Sequence, residues 1–325
     1  MSVIRAVAKG CGHYLPERVV ENAEFASWLD TSDDWIRSRT GIERRHFAAD
    51  DEKTSDLGIA AGRAALEDAG LEPGDLDAII VATATPDQTF PSTATRVQHG
   101  LGMSRGFAFD LQAVCAGFIY GLSNAQALIT SGQARRVMVV GAETFSRLMD
   151  WQDRGTCVLF GDGAGAIILE AAEGNGATSD RGILATELNS DGSLNEILYV
   201  DGGPSTTGTT GHLRMAGREV FKHAVAKLAA AGEAVLDKAG LAKSDVDLVV
   251  PHQANLRIIK KTVETFGIPM EKVVVTVQNH GNTSAASIPI ALSTAKDAGR
   301  VKPNDILLME AIGGGLAWGA AVLRW

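Results

Sequence analysis

AAGRAALEDAGLEPGDLDAIIVAT, residues 60–83, and AAAGEAVLDKAGLAKSDVDLVVPHQ, residues 229–253, read as one unit written twice. In each, a helical run stops at a glycine, and a short loop leads into β-branched residues that form a buried strand. Gly70, Leu71, Asp75 and Asp77 recur as Gly240, Leu241, Asp245 and Asp247, 170 positions later.

Working outward, CAGFIYGLSNAQALITSGQARRVMVVGAE (115–143) is answered by NTSAASIPIALSTAKDAGRVKPNDILLMEAIGGG (282–315), a helix and then a strand in both. FGDGAGAIILE (160–170) and GGGLAWGAAVLRW (313–325) close the series, each a glycine-rich bend feeding an apolar strand. Helix-strand units look alike, so one echo carries little; three in the same order predict two similar halves, residues 1–173 and 174–325, each a largely buried sheet flanked by helices. AAEGNGATSDRG (171–182) and DGGPSTTGTTGH (201–212) read as surface loops near the junction. Phe221, Val225, Leu228 and Val235 set one face of a long amphipathic helix from Gly217 to Gly240.

Composition agrees with a folded α/β chain: 325 residues, 45% apolar, 21% charged, 36 glycines and 9 prolines. Cys11, Cys115 and Cys157 are odd in number and lack any CxxC or Cys/His ligand spacing, which argues against a disulfide framework and a zinc site and fits a reducing cytoplasm. The N-terminal residues lack the apolar core of a signal peptide, and no apolar stretch is long enough to span a bilayer. A net charge of -9 opposes nonspecific attraction to nucleic acid or to an anionic membrane. We expect a cytoplasmic protein that binds neither.

Cys115 lies in DLQAVCAGFIYGL (110–122), between the strand-like FAFDL and a helical run to about Ser131. A thiol at a helix start is favoured as thiolate by the backbone N–H groups and the dipole. The plain alternative, a small buried hydrophobe, fits Cys11 in the first strand and Cys157 in TCVLF better. His252 follows the second-half strand in DLVVPHQANLRII (247–259), at a carboxyl end where open sheets hold ligands. Asn282, in VQNHGNTSAASIP (277–289), begins the helix equivalent to that of Cys115 and reads as the repeat partner of the nucleophile. Singly, His252 reads as a structural histidine and Asn282 as an N-cap. If the halves pack about a pseudo-twofold axis, the two helix starts face each other and all three residues share one cavity.

Six strings then carry a resemblance over nearly the whole chain: DTSDDWIRSRTGIERRHFA, VCAGF, DRGTCVLFGDGAGA, VPHQANLRII, HGNTSAASIP and EAIGGGLAWG, in this order. Together they resemble the β-ketoacyl-acyl carrier protein synthase III family. The resemblance implies the five-layered αβαβα thiolase fold, usually homodimeric, and a Cys115-His252-Asn282 triad. It implies acyl-CoA and malonyl-acyl carrier protein as substrates, a decarboxylative Claisen condensation through an acyl-cysteine, and no metal or redox cofactor. Backbone N–H groups of Cys115 and Gly314 would hold the oxyanion, within glycines that otherwise read as a flexible turn.

By the same resemblance, Trp35 and Arg154 would sandwich the CoA adenine with Arg39 nearby, and Gly217, Phe221 and Asn255 would line the pantetheine tunnel. Lys222, Arg257, Lys260 and Lys261 are candidates for the basic surface that an acidic carrier protein needs, although such charges are commonly just solvated. Phe90 would reach across the dimer to wall the partner's acyl pocket. Phe145 stands at a pocket position often aliphatic, and Ile312 where a phenylalanine is common, so the acyl preference is left open. A related acyltransferase of secondary metabolism and a catalytically idle carrier-protein-binding module are the rival readings. A thiolase is disfavoured because no second cysteine lies near the Gly313 turn.

Overall fold

The four recurring residues do the same work twice. Gly70 and Gly240 both take up left-handed φ, 63° and 67°, and close their helices with paired bonds, Leu71 N–H to Leu66 O and Leu241 N–H to Leu236 O at 3.0 Å each. Asp75 accepts from Glu72 N (3.0 Å) and Asp245 from Ala242 N (2.8 Å), fixing the loop that follows. Asp77 accepts from Arg135 N and Arg136 N, and Asp247 from Ile306 N, which stitches each repeat strand to the start of its neighbour.

In the computed structural model, which describes residues 2–325, these units build two sheets. The first contains β1 (Val3–Tyr14), β4 (Ala78–Ala82), β5 (Phe107–Leu111), β6 (Arg136–Thr144) and β7 (Asp162–Gly174), ordered β1-β7-β6-β4-β5. The second contains β8 (Gly182–Ser190), β11 (Leu248–Pro251), β12 (Ile306–Gly313) and β13 (Ala317–Arg324), ordered β11-β12-β13-β8. β6 is parallel to β4 and antiparallel to β7, as β12 is to β11 and β13. Two ribbons, β2 (Arg18–Glu21) with β3 (Arg44–Phe47) and β9 (Leu198–Val200) with β10 (Leu213–Met215), lie outside the sheets.

Helices α5 (Gly117–Thr130) and α9 (Ser287–Asp297) fill the middle layer, where Phe118, Ile119, Leu122, Ile288 and Leu292 pack with Ile80 and Val139 of the first sheet and Leu307 and Met309 of the second. Each such side chain, fully buried, contributes about 1.5 to 3 kcal/mol. α3 (Thr54–Ala69) and α4 (Thr93–Leu101) cover the outside of the first sheet. α6 (Gly217–Ala239) and α7 (Leu256–Phe266) cover the second. α1 (Asn22–Phe25), α2 (Asp33–Thr40) and α8 (Val277–His280) are short connecting helices. This is the layered αβαβα thiolase-like fold expected.

Two readings shift. AAEGNGATSDRG is loop only from 175, because β1 is long enough to pair with β7 through Gly174. FAFDL forms edge strand β5, whereas residues 277–281, 170 positions on, form α8 and a glycine turn, so the second sheet has one strand fewer.

Candidate active site

After β5 the chain makes a single 3-10 turn, Val114–Ala116, before α5 begins at Gly117. Val114 holds φ 48°, a left-handed value that a β-branched residue adopts only under constraint. The constraint is close packing, since a Cβ built at Gly313 would stand 2.6 Å from Cys115 N. Only glycine at the end of β12 lets the two backbones meet.

Cys115 is 5% exposed. Burial pushes its thiol up to about 12, with the Glu143 carboxylate adding to the effect. Desolvation thus opposes the thiolate that a helix start favours, while the Ser284 hydroxyl and the Cys115 backbone N–H pull the other way.

His252 continues the ladder past β11, its N–H donating to Glu310 O at 2.8 Å. Its Nδ1 lies 2.6 Å from Oγ of Ser287, the first residue of α9, and that oxygen also accepts from Gln253 N at 3.3 Å. Ser287 thus orients the ring and leaves Nε2 as its other end. Burial lowers this histidine to about 3, so the imidazole is neutral.

Asn282 is held on both sides by the 159–161 segment, its N–H donating to Leu159 O (2.9 Å) and its O accepting from Gly161 N (3.0 Å). Its Oδ1 accepts from Ser284 N at 2.9 Å, which leaves the Nδ2 hydrogens as the free end. It does not occupy the position equivalent to the nucleophile. The 3-10 turn before α9 is Ser284–Ala286, so Ala285 stands 170 positions after Cys115, and Ser284 (φ 49°) matches Val114. The register that runs through both repeats puts Asn282 opposite Gln112 instead.

Cys115, His252 and Asn282 line one cavity of about 790 Å³, together with Phe145 and Ile312. Trp35, Arg39, Gly217, Phe221, Asn255 and Arg257 line it too, with Arg39 and Arg257 exposed at its rim. The Arg39 and Arg154 guanidiniums lie 4.5 and 4.8 Å from the Trp35 ring centroid, and Arg154 is tied to Asp30. A base entering between Trp35 and Arg154 has to lift the arginine off the ring.

The structure leaves other candidates outside the cavity wall. Gly314 packs beneath β9, where a Cβ would meet Leu198 O at 2.7 Å. Phe90 is 82% exposed and far from a core side chain in character. Lys222, Lys260 and Lys261 are exposed, and Lys261 is paired with Glu264 at 3.0 Å. Among the described residues no cluster suits a metal ion, and no helix is long and apolar enough to cross a membrane.

Ser287, Ser284 and Glu143 were not legible as site residues. Glu143 meets Ser284 across 141 positions of sequence, and nothing local marks that contact.

Residues 109–192 match the family described as 3-oxoacyl-[acyl-carrier-protein (ACP)] synthase III, and residues 236–325 its C-terminal counterpart. The chain is 68% identical over 321 residues to the beta-ketoacyl-[acyl-carrier-protein] synthase III of Paracoccus denitrificans, covering 99% of each. It is 69% identical over 322 residues to that of Rhodobacter capsulatus, again covering 99% of each. The crystal structure of 3-oxoacyl-[acyl-carrier-protein] synthase III from Aquifex aeolicus superposes with a TM-score of 0.92 at 48% identity, over 98% of this chain and 100% of that one.

Proposed function

The chain belongs to the β-ketoacyl-[acyl-carrier-protein] synthase III family, and from that premise we propose how its own residues divide the reaction. It is an acyltransferase that begins fatty acid synthesis from an acyl-CoA and malonyl-acyl carrier protein. In our reading Cys115 Sγ attacks the thioester carbonyl of acyl-CoA. The thiol proton passes to His252 Nε2 and on to the CoA sulfur, which leaves as the thiol. The transient oxyanion is assigned to the N–H groups of Cys115 and Gly314; Gly314 is not among the residues lining the cavity, so its part rests on the family resemblance.

Malonyl-acyl carrier protein then loses carbon dioxide, and the electron pair of the broken C–C bond moves onto the thioester oxygen. His252 Nε2–H and Asn282 Nδ2–H hold that enolate. Its carbon attacks the acyl carbonyl, the bond to Cys115 Sγ breaks with its electron pair left on sulfur, the β-ketoacyl product leaves on the carrier, and the thiolate takes one proton from solvent to restore the thiol. Ser287 suits both steps, because its hydroxyl accepts from Nδ1–H in one tautomer and donates to Nδ1 in the other. What carries the reading is one cavity lined by all three residues, with the other ends of the His252 ring and the Asn282 amide already bonded to protein.

For substrate binding, Trp35 with Arg154 and Arg39 takes the adenine, and Gly217, Phe221 and Asn255 line the path of the pantetheine. Lys222, Arg257, Lys260 and Lys261 face the carrier protein. Phe145 stacks on Phe160 at 4.9 Å, which supports a short primer, acetyl-CoA first. A homodimer formed along β5 is supported by exposed edge residue Phe107 and by Phe90, which is free to reach a partner's cavity. Three unpaired thiols support a cytoplasmic setting.

Incubation with labelled acetyl-CoA should leave one acyl group on Cys115, discharged on adding malonyl-acyl carrier protein. Absence of an adduct would return the chain to an idle binding module. A panel of acyl-CoA primers tests the acetyl preference.

A further inference from the structure

Arg45, in β3, is the largest fully buried side chain among the described residues, at 0% exposure. It has no acid for a partner: Glu24 of α1 and Asp33 of α2 pair instead with Arg18 and Arg37. A cation buried without an acid is costly, so other bonds have to hold it. Nη1 donates to Val20 O at 3.2 Å and Nη2 to Val158 O at 2.6 Å, and the group lies over the Phe25 ring, 4.7 Å from its centroid. Val20 is the cross-strand partner of Arg45 in the β2–β3 ribbon, whereas Val158 is 113 residues away. Val158 O accepts from no other group among the described residues.

Val158 belongs to the stretch that holds Asn282. Residues 154–161 lie in no helix or sheet, and Phe160 forms an isolated parallel bridge with Asn282 through the Leu159 O and Gly161 N bonds. Asn282 stands in a glycine turn between α8 and the 3-10 turn at Ser284, so no element of its own fixes its backbone. The Arg45 stem spans both sides of the bridge, its Cβ 3.0 Å from a Cβ built at Gly161 and 3.1 Å from one built at Gly281. Glu43, just before β3, donates its N–H to Gln278 O at 2.8 Å, so the ribbon backs α8 as well. Val158, Leu159, Phe160 and Asn282 line the cavity, and Arg45 stands behind that wall.

We propose that Arg45 is a positioning residue for the enolate step: by holding Val158 O and filling the crease over the Phe160–Asn282 bridge, it sets the Asn282 amide against the developing charge. This rests on the reading that gives Asn282 the enolate. The planar guanidinium suits the place because it donates in two directions from one buried position, which a lysine point charge does not. Cys115 is held separately, by the 3-10 turn before α5 and by the close approach of Gly313, so its acylation does not depend on the bridge.

The test compares the two half-reactions, each expressed per Cys115 that takes label from acetyl-CoA, so that misfolded protein is not counted. Arg45→Met keeps an apolar stem in the crease and removes the fork. Carbon dioxide release from malonyl-acyl carrier protein should fall by about tenfold or more, and acetylation of Cys115 should stay within about threefold of the parent. Arg45→Lys, with its charge and a donor for one carbonyl, should fall between parent and Arg45→Met. In an Asn282→Ala background, adding Arg45→Met should cost little further decarboxylation, because no amide is left to place. Equal losses in the two half-reactions, or the same fold loss with and without the Asn282 amide, overturns the proposal. Should Arg45→Met fail to fold, Arg45→Lys decides: a loss greater in decarboxylation than in acetylation supports the positioning role, and equal losses or none overturn it. Normal decarboxylation in Asn282→Ala alone would instead overturn the reading of Asn282, a different failure from an additive Arg45 variant.

Discussion

Replacing Asn282 by alanine removes two separable functions, the Oδ1 that accepts from Ser284 N at 2.9 Å and the Nδ2 hydrogens assigned to the enolate. Loss of one preorganised oxyanion donor in a water-poor site costs about 3 to 4 kcal/mol, or about 10² to 10³ in rate. Loss of the cap leaves a buried N–H without a partner and costs about 1 to 3 kcal/mol of stability. Asn282→Asp separates the two, since it keeps an acceptor for Ser284 N while replacing the donor by a charge that repels the enolate. Carbon dioxide release from malonyl-acyl carrier protein and acetylation of Cys115 are to be measured side by side for both variants. Decarboxylation should fall by about 10² or more in each, acylation should stay within about tenfold of the parent, and Asn282→Asp should unfold later than Asn282→Ala. Decarboxylation within tenfold of the parent in Asn282→Ala, or equal losses in both half-reactions, would refute the assignment of Asn282 to the enolate.

Other consequences are equally direct. Burial pushes the Glu310 carboxyl up from 4.5 to about 7, and its Oε2 has no partner, so folding holds a proton that the unfolded chain releases. That stabilisation is complete below the unfolded value and is lost as pH rises through 7, by about 3 kcal/mol; urea unfolding of Glu310→Gln should show a smaller fall between about pH 4.5 and pH 7, the remainder belonging to buried Glu143, likewise raised to about 7, and an unchanged pH dependence would contradict it. Because Arg257 lines the cavity and lies over Phe221, charge reversal at Lys222 and Lys260 is the better probe of carrier-protein docking. It should raise KM for malonyl-acyl carrier protein in a salt-sensitive way while Cys115 acylation by acetyl-CoA is unchanged, and equal effects on both substrates would count against the patch. Phe145→Leu removes the 4.9 Å stack on Phe160 and should shift kcat/KM toward longer or branched primers over acetyl-CoA by about tenfold, with an unaltered primer order as the contrary result.

The readable parts of this chain were those whose causes are local. Gly70 and Gly240 stop helices through their own backbone, and Asp75 and Asp245 cap turns three residues away, so both could be recognised in sequence. Cys115 was legible because a strand precedes it and a helical run follows it. Asn282 was assigned to the site yet given the wrong partner, because the second half reaches α9 through α8 and a glycine turn rather than through a strand. The state of the thiol was not readable either. It depends on Glu143 and on burial between two sheets, and these are tertiary facts.

The repeat also explains why the site is asymmetric. Both halves bring a strand end and a left-handed turn to the same place, Ala82 and Val114 from one, His252 and Ser284 from the other, and the two turns share nearly the same φ. The turns pack so closely that a Cβ at Gly141 would lie 2.3 Å from Ala285 O and one at Gly117 3.5 Å from Ala285 Cβ. Ala285, the mate of Cys115, is therefore enclosed, at 1% exposure, and takes no part in the cavity wall. One backbone plan has been filled with opposite chemistry: the first half presents a sulfur, and the second presents an imidazole and an amide around it. Residue 285 therefore has no space for a second nucleophile, and the two halves share a backbone plan while presenting different side chains at this place.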